Sequence, residues 1–190
     1  MILVRHGQSL FNVHYARTRC DPGIPDPPLT EEGRRQAMAL AAALDGQGIR
    51  RLIASPYTRA LETASIIAEA LDLPIEVDAT VREHALFVCD IGTPASELAR
   101  RWPALRFDHL EDRWWPPLDE TEADVRARAE QFRNAMQTAA DWQDVAVVSH
   151  WGFIRALAGV ELANCQAVRL DLSSRGEPVG SYIEPACFPC

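Results

Sequence analysis

Met1-Ile2-Leu3-Val4-Arg5-His6-Gly7 opens the chain with four apolar residues that stop at an arginine, a histidine and a glycine. A run of this kind fits a strand buried on both faces whose C-terminal end gives way to a functional loop. The arrangement returns twice. Arg51-Leu52-Ile53-Ala54 reads as a second short strand, broken at Ser55-Pro56, where proline suits a first helical position. Tyr57, Leu61, Ala64, Ala68 and Leu71 then recur at helical spacing, so a helix should run to just before Pro74. Asp144-Val145-Ala146-Val147-Val148-Ser149 is the third such strand, with His150 after it and a helix over residues 152–158.

The segments between them complete the pattern. Residues 20–28 hold four prolines and one glycine and must be an irregular loop. Thr30 caps a helix that runs to about Leu44, with Glu31 and Glu32 placed favourably at its N-terminus. Residues 75–77 read as a further strand. Residues 84–120 read as an inserted lobe, with a short helix near 95–102 and the run Trp114-Trp115-Pro116-Pro117. Thr121 caps a long helix to about Ala140, and residues 166–172 alternate like an edge strand, with Arg175-Gly176 as a turn. Apolar strands alternating with helices predict an α/β fold. We expect a three-layer sandwich with a mainly parallel, doubly wound sheet and helices on both faces, in a single domain over residues 1–190.

Composition narrows the partners. Nineteen Lys and Arg against 27 Asp and Glu give a formal charge of −8, which disfavours nucleic acid and anionic membranes across the surface as a whole. A small anion would need a local basic pocket. No apolar run approaches a membrane span and no leader pattern opens the chain, so a soluble cytoplasmic protein is expected. The five cysteines, Cys20, Cys89, Cys165, Cys187 and Cys190, lack the paired spacing of a zinc site and should be reduced thiols. The last four residues fit a prenylation pattern only formally. Nor do His14, His84 and His109 have metal-ligand spacing, so no metal is expected.

In a parallel sheet wound with right-handed crossovers, the strand C-terminal ends share one edge, and ligands bind outside it. Arg5, His6, Arg59 and His150 all fall at that edge. Arginine's planar fork matches phosphate oxygens, and a helix N-terminus adds free N–H donors. Any one of these residues alone would be better read as a structural ion pair or a satisfied core histidine. Four at matching strand ends read as a phosphate site.

The run Leu3-Val4-Arg5-His6-Gly7-Gln8-Ser9-Leu10-Phe11-Asn12 resembles the opening motif of the histidine phosphatase superfamily, the phosphoglycerate-mutase-like group. Three more segments match in order: Pro28-Leu29-Thr30-Glu31-Glu32-Gly33, the stretch from Ser55 through Arg59 to Ala64, and Val148-Ser149-His150-Trp151-Gly152-Phe153-Ile154-Arg155. The resemblance implies a doubly wound α/β fold, no metal or other cofactor, and a covalent phosphohistidine. It makes His6 the nucleophile and Arg5 and Arg59 the phosphoryl-binding cations. His150 becomes the second pocket histidine, Asn12 a further phosphate contact, and Trp151 part of the same wall. Glu83, in Val81-Arg82-Glu83, resembles the proton donor, while Glu62 reads as a helix-surface acid. Gln8 stands in place of the glutamate common after this Arg-His-Gly, and Trp151 in place of a small residue. The mutase-type insert after the acid is absent, with His84-Ala85-Leu86-Phe87 in its place. The expected activity is therefore hydrolysis of a small phosphorylated metabolite. A cofactor-dependent phosphoglycerate mutase and a catalytically weak phospho-ligand binder are the alternatives. Trp102, Trp114 and Trp115 either line the pocket or pack the lobe, with packing favoured. The natural substrate and the oligomeric state stay open.

Overall fold

Strands β1 (Ile2–Arg5), β2 (Arg51–Ala54), β3 (Ile75–Val77) and β4 (Val145–Ser149) pair in parallel in a computed structural model that describes residues 1–173, 177–178 and 182–183. β5 (Ala167–Asp171) runs antiparallel to β1, and the two-residue β6 (Glu177–Pro178) runs antiparallel to β5. The sheet order is β3-β2-β4-β1-β5-β6. β5 is thus an inner strand of the described sheet rather than the edge strand its alternation suggests. Residues 167–171 follow the expected in-and-out pattern, but β6 and an isolated bridge from Ala167 to Ile183 cover its far side. Arg175 and Gly176, the expected turn, lie outside the described residues.

Side-chain alternation sorts the strands into two cores. Ile2, Val4, Leu52, Ala54, Ala146 and Val148 face one layer, with α2 (Glu31–Leu44) and α3 (Thr58–Leu71). Met1, Leu3, Ile53, Val145 and Val147 face the other, with α5 (Glu122–Thr138) and α6 (Trp151–Ala158). This is the three-layer α/β sandwich expected from the sequence. Leu98 of α4 (Ala95–Arg101), Phe107 and Trp114 join the first core, so much of residues 84–120 packs on the same body. Trp114 is buried edge-on against Tyr57 and donates Nε1 to the Thr93 carbonyl; Trp102 and Trp115 pack against that core as well. Among the described residues, no helix is long and apolar enough to cross a membrane.

Three local features differ from the sequence reading. A helix, α1 (Leu10–Thr18), follows the first loop; Ser9 caps it, and Asn12 returns the bond to the Ser9 N–H. α3 begins at Thr58, two residues beyond Pro56, because the buried carboxylate of Asp26 accepts the Thr58 N–H at 2.8 Å and fixes the start there. Glu62 is not a free surface acid. It accepts the Leu29 N–H at 2.7 Å and pairs with Arg34 at 2.9 Å, which pins the proline-rich loop to α3.

Register brings the parallel strands to a common level. Val4 and Ala54 both lie opposite Val148, and Arg5 lies opposite Ser149, so His6, Ser55 and His150 emerge side by side. Two glycines allow the first loop to press onto α2. A Cβ on Gly7 would stand 2.6 Å from the Gly33 carbonyl oxygen, and one on Gly33 would stand 2.1 Å from that of Gln8. Gln8 is taken up by this contact, its backbone and side-chain oxygens both accepting from Thr30.

Candidate active site

His6 sits at the end of β1 with only 3% of its surface exposed. Its Nδ1 lies 2.7 Å from the Gly7 carbonyl oxygen, which can only accept, so Nδ1 carries the proton and Nε2 keeps a free lone pair. The loop is clamped on both sides. Thr63 accepts the Gly7 N–H and donates to the Arg59 carbonyl, and Asn164 donates to the His6 carbonyl. Burial first, then the charges of Arg59 and Arg5, hold the His6 pKa well below the ordinary 6.5. The ring is therefore a neutral base with one fixed tautomer.

His150 caps α6 and is fully buried, its ring centroid 5.0 Å from that of His6. Its Nε2 lies 2.8 Å from the Ser55 hydroxyl, while Nδ1 has no partner among the described residues. Burial, followed by Arg59 and His6, also pushes the His150 pKa far down. Arg5 donates one terminal nitrogen to the Leu162 carbonyl at 2.7 Å, and its buried Nε is unpaired. Asn12 spends its amide oxygen on Ser9 and Asn164, and its amide nitrogen makes no hydrogen bond among the described residues.

Arg59 is arranged differently. Its guanidinium, 3% exposed, donates to the Cys89 carbonyl and pairs with Asp90 at 3.0 Å. Burial opposes its charge, but Asp90 and its neighbours more than offset this and raise its pKa. Asp90 also accepts the Leu86 and Phe87 N–H groups, which fastens residues 86–90 over Arg59. Sequence reasoning missed this acid. The available signal was its place as the third residue of the turn Val88–Asp90, where an acid favours free N–H donors.

Glu83 reaches the same cavity on the loop after the short turn Ala79–Val81. Its Oε1 accepts the N–H of Gly152 at 2.8 Å and that of His84 at 2.9 Å. Burial, and next the negative charge of Asp90, raise its pKa above the ordinary 4.5. Arg128 of α5 holds this loop by donating to the carbonyls of Thr80, Arg82 and Glu83 while paired with the buried Glu120. Ser149 adds a 2.7 Å bond to the Val81 carbonyl.

A cavity of about 400 Å³ joins these groups, with Arg5, His6, Asn12, Arg59, Glu83 and Trp151 in its lining. His150, its ring beside that of His6, is not part of the lining. Phe11, Tyr15, Arg19, Leu86 and Phe87 line it too, and the sequence reading had given none of them a role. No group of three or more His, Cys, Asp or Glu side chains among the described residues could hold a metal ion. The arrangement offers a fixed neutral imidazole, unpaired donors around it, and a carboxyl group inclined to keep its proton. That is a set suited to moving a phosphoryl group.

Comparison with known proteins agrees with the geometry. The chain is 43% identical over 104 residues to a probable phosphoglycerate mutase GpmB of Yersinia pestis, a match covering 52% of this chain and 46% of that protein. The same figures hold for the Yersinia pseudotuberculosis protein of that name. The chain thus aligns to about half the length of these curated relatives. Among solved structures it resembles mycobacterial hydrolase 1, with 27% identity, a TM-score of 0.63, and 90% of this chain and 89% of the other covered. It also shares its fold with a mycobacterial glucosyl-3-phosphoglycerate phosphatase solved with VO3, at 24% identity, a TM-score of 0.65 and 90% coverage of both chains. The model of the histidine phosphatase superfamily (branch 1) matches residues 1–174, and the chain belongs to that family.

Proposed function

We propose that the protein is a phosphomonoester hydrolase of the cytoplasm that acts on a small phosphorylated metabolite through a phosphohistidine on His6. The observation that carries this reading is the buried, unpaired Nε of Arg5, which lines the cavity beside a neutral His6. A buried donor is nearly always satisfied, and a phosphoryl group beside His6 would satisfy it. Asn12 and the N-terminus of α6 at Trp151 add donors to the same space.

In the first step the Nε2 lone pair of His6 attacks phosphorus and the bond from phosphorus to the ester oxygen breaks. Glu83 gives its proton to the departing alkoxide. Arg5, Arg59, Asn12 and His150 stabilise the charge on the equatorial oxygens. In the second step water attacks phosphorus, Glu83 takes a proton from it, and the bond from phosphorus to nitrogen breaks to return His6 and orthophosphate. The raised pKa of Glu83 supports its starting role as an acid. The three described cysteines, Cys20, Cys89 and Cys165, are free thiols, in keeping with a reducing compartment. Residues 84–120 serve as the specificity lobe of a single domain.

The curated relatives' name favours a second reading, phosphoglycerate mutase. A mutase must keep the phosphohistidine dry while its substrate turns round. Leu86, at the cavity's edge, is 50% exposed, which supports access of water to the site. A bare phospho-ligand binder would need neither the nucleophile nor the acid. Supplying 3-phosphoglycerate with 2,3-bisphosphoglycerate distinguishes the two enzymes. We expect free phosphate to outrun 2-phosphoglycerate; rapid 2-phosphoglycerate with negligible phosphate would make the protein a mutase.

A further inference from the structure

We infer that the wall formed by Phe11, Tyr15 and Phe87 receives the leaving alcohol of the substrate, and that this alcohol carries an aromatic ring and, beyond it, a second anionic group for Arg19. The inference rests on the hydrolase reading and names the substrate class for the same site.

Phe11 and Tyr15 are four residues apart on α1 and so share one helix face. Their rings stack with centroids 5.2 Å apart and planes 16° from parallel. Phe87, from the lobe, closes on both at 5.3 and 5.5 Å. These rings do not serve the core. α1 has no buried residue at all, and neither core contains any of the three. They line instead the cavity that holds His6, and Leu86 extends the apolar surface at 50% exposure. Three clustered, half-covered aromatics beside a catalytic group are an apolar surface in want of a flat partner.

Arg19 supplies the second observation. It takes the left-handed conformation at the C-terminal end of α1, with φ 55°, and its guanidinium lies 5.8 Å from the centroid of the Tyr15 ring. It lines the cavity and makes no ion pair among the described residues. Asn12, at the phosphate end, is seven residues earlier, so the helix rise separates the two positions by about 10 Å. A ring lying on Phe11 and Tyr15, with a carboxylate or phosphate beyond it, spans that distance naturally. In a protein of net charge −8, an unpaired arginine at the far end of an anion pocket favours ligands with two negative ends.

Phosphonates, whose carbon–phosphorus bond resists hydrolysis, separate binding from turnover. Calorimetry on the wild-type protein would compare propylphosphonate, 3-phenylpropylphosphonate and its para-carboxylated analogue. We expect the ring to tighten binding at least about tenfold and the carboxylate a further roughly fivefold. Phe11→Ala and, separately, Phe87→Ala should collapse the ring's advantage, whereas Arg19→Ala should remove the gain from the carboxylate and leave that from the ring. Equal affinities for the three ligands, or advantages unchanged in these variants, would overturn the inference. Turnover of the matching phosphate esters keeps the two claims apart. Discrimination among phosphonates without hydrolysis of any ester would uphold the aromatic subsite and sink the hydrolase. Equal binding with brisk, undiscriminating hydrolysis would do the reverse.

Discussion

Replacing Gly152 by alanine tests how closely the proton donor is held. A Cβ at that position would stand 2.6 Å from Oε1 of Glu83 and 2.8 Å from Cβ of His84, whereas ordinary contact begins at 3.4 Å, so the carboxylate must move by 3.4 − 2.6 = 0.8 Å. The loop cannot simply retreat, because Arg128 holds the carbonyls of Thr80, Arg82 and Glu83. Misplacing a catalytic group by about 1 Å costs on the order of 10²-fold in rate. The clash with Cβ of His84, on a loop held in place, should cost about 1–3 kcal/mol, of which the preference of a helix for alanine over glycine returns up to about 1 kcal/mol. The melting temperature should fall by no more than roughly 12 °C. The assay is kcat/KM for an alkyl phosphate and for 4-nitrophenyl phosphate, which reports the steps up to formation of the phosphohistidine. We expect a loss of about 10²-fold or more on the alkyl ester and a much smaller one on the nitrophenyl ester, whose leaving group needs no proton. Wild-type rates on the alkyl ester, or equal losses on both from a protein folded at the assay temperature, would refute the role given to Glu83.

Further outcomes are expected. Arg128→Met removes one of the two arginines paired with the buried Glu120, leaving Arg82, and takes the donor from the carbonyls of Thr80, Arg82 and Glu83; it should cost about 2–4 kcal/mol, a fall of roughly 4–16 °C in melting temperature by thermal unfolding. Because burial and the two arginines keep His6 neutral well below pH 6.5, turnover of 4-nitrophenyl phosphate should persist at mildly acidic pH, where a free imidazole is mostly protonated. The same depressed values of His6 and His150 mean that the unfolded chain binds more protons below pH 6.5, so stability should fall as pH drops through that window. Glu83 works in the opposite sense: with its pKa raised, kcat/KM for alkyl esters should be full at low pH and decline as pH rises through that raised value. Finally, with Arg5 and Arg59 in the place a magnesium ion takes elsewhere, excess EDTA should leave the rate intact and vanadate should inhibit strongly. Restoration of a stripped enzyme by a divalent metal would contradict this.

Much of the frame was legible because it rests on periodicity and punctuation. The apolar runs at 1–4, 51–54 and 145–149 could only be strands buried on both faces, and their alternating sides explain the two cores. Thr30 and Thr121 announced helices that begin one residue later. α1 was missed because it buries nothing, so no apolar stripe marks it and only Ser9 with Asn12 signals its start. β5 was misplaced because alternation reports which face is buried and not which strand pairs alongside. At the site, Arg5, His6, Arg59 and His150 were singled out by their places after strands, and Glu83 by the family resemblance alone. Asp90, Arg128 and Phe87 were not, since their contacts with Arg59, Glu83 and Phe11 cross sequence gaps of more than 30 residues.

The most direct test of the central claim is to trap the intermediate. Rapid quench of the protein with a radiolabelled phosphate ester, followed by peptide mapping, should place an acid-labile, base-stable phosphoryl group on His6. Glu83→Gln should build up more of it from an aryl phosphate, because the base that activates water is gone, and His6→Ala should carry neither label nor turnover. A label on any other residue, or an alanine variant that hydrolyses esters near the wild-type rate, would contradict the account.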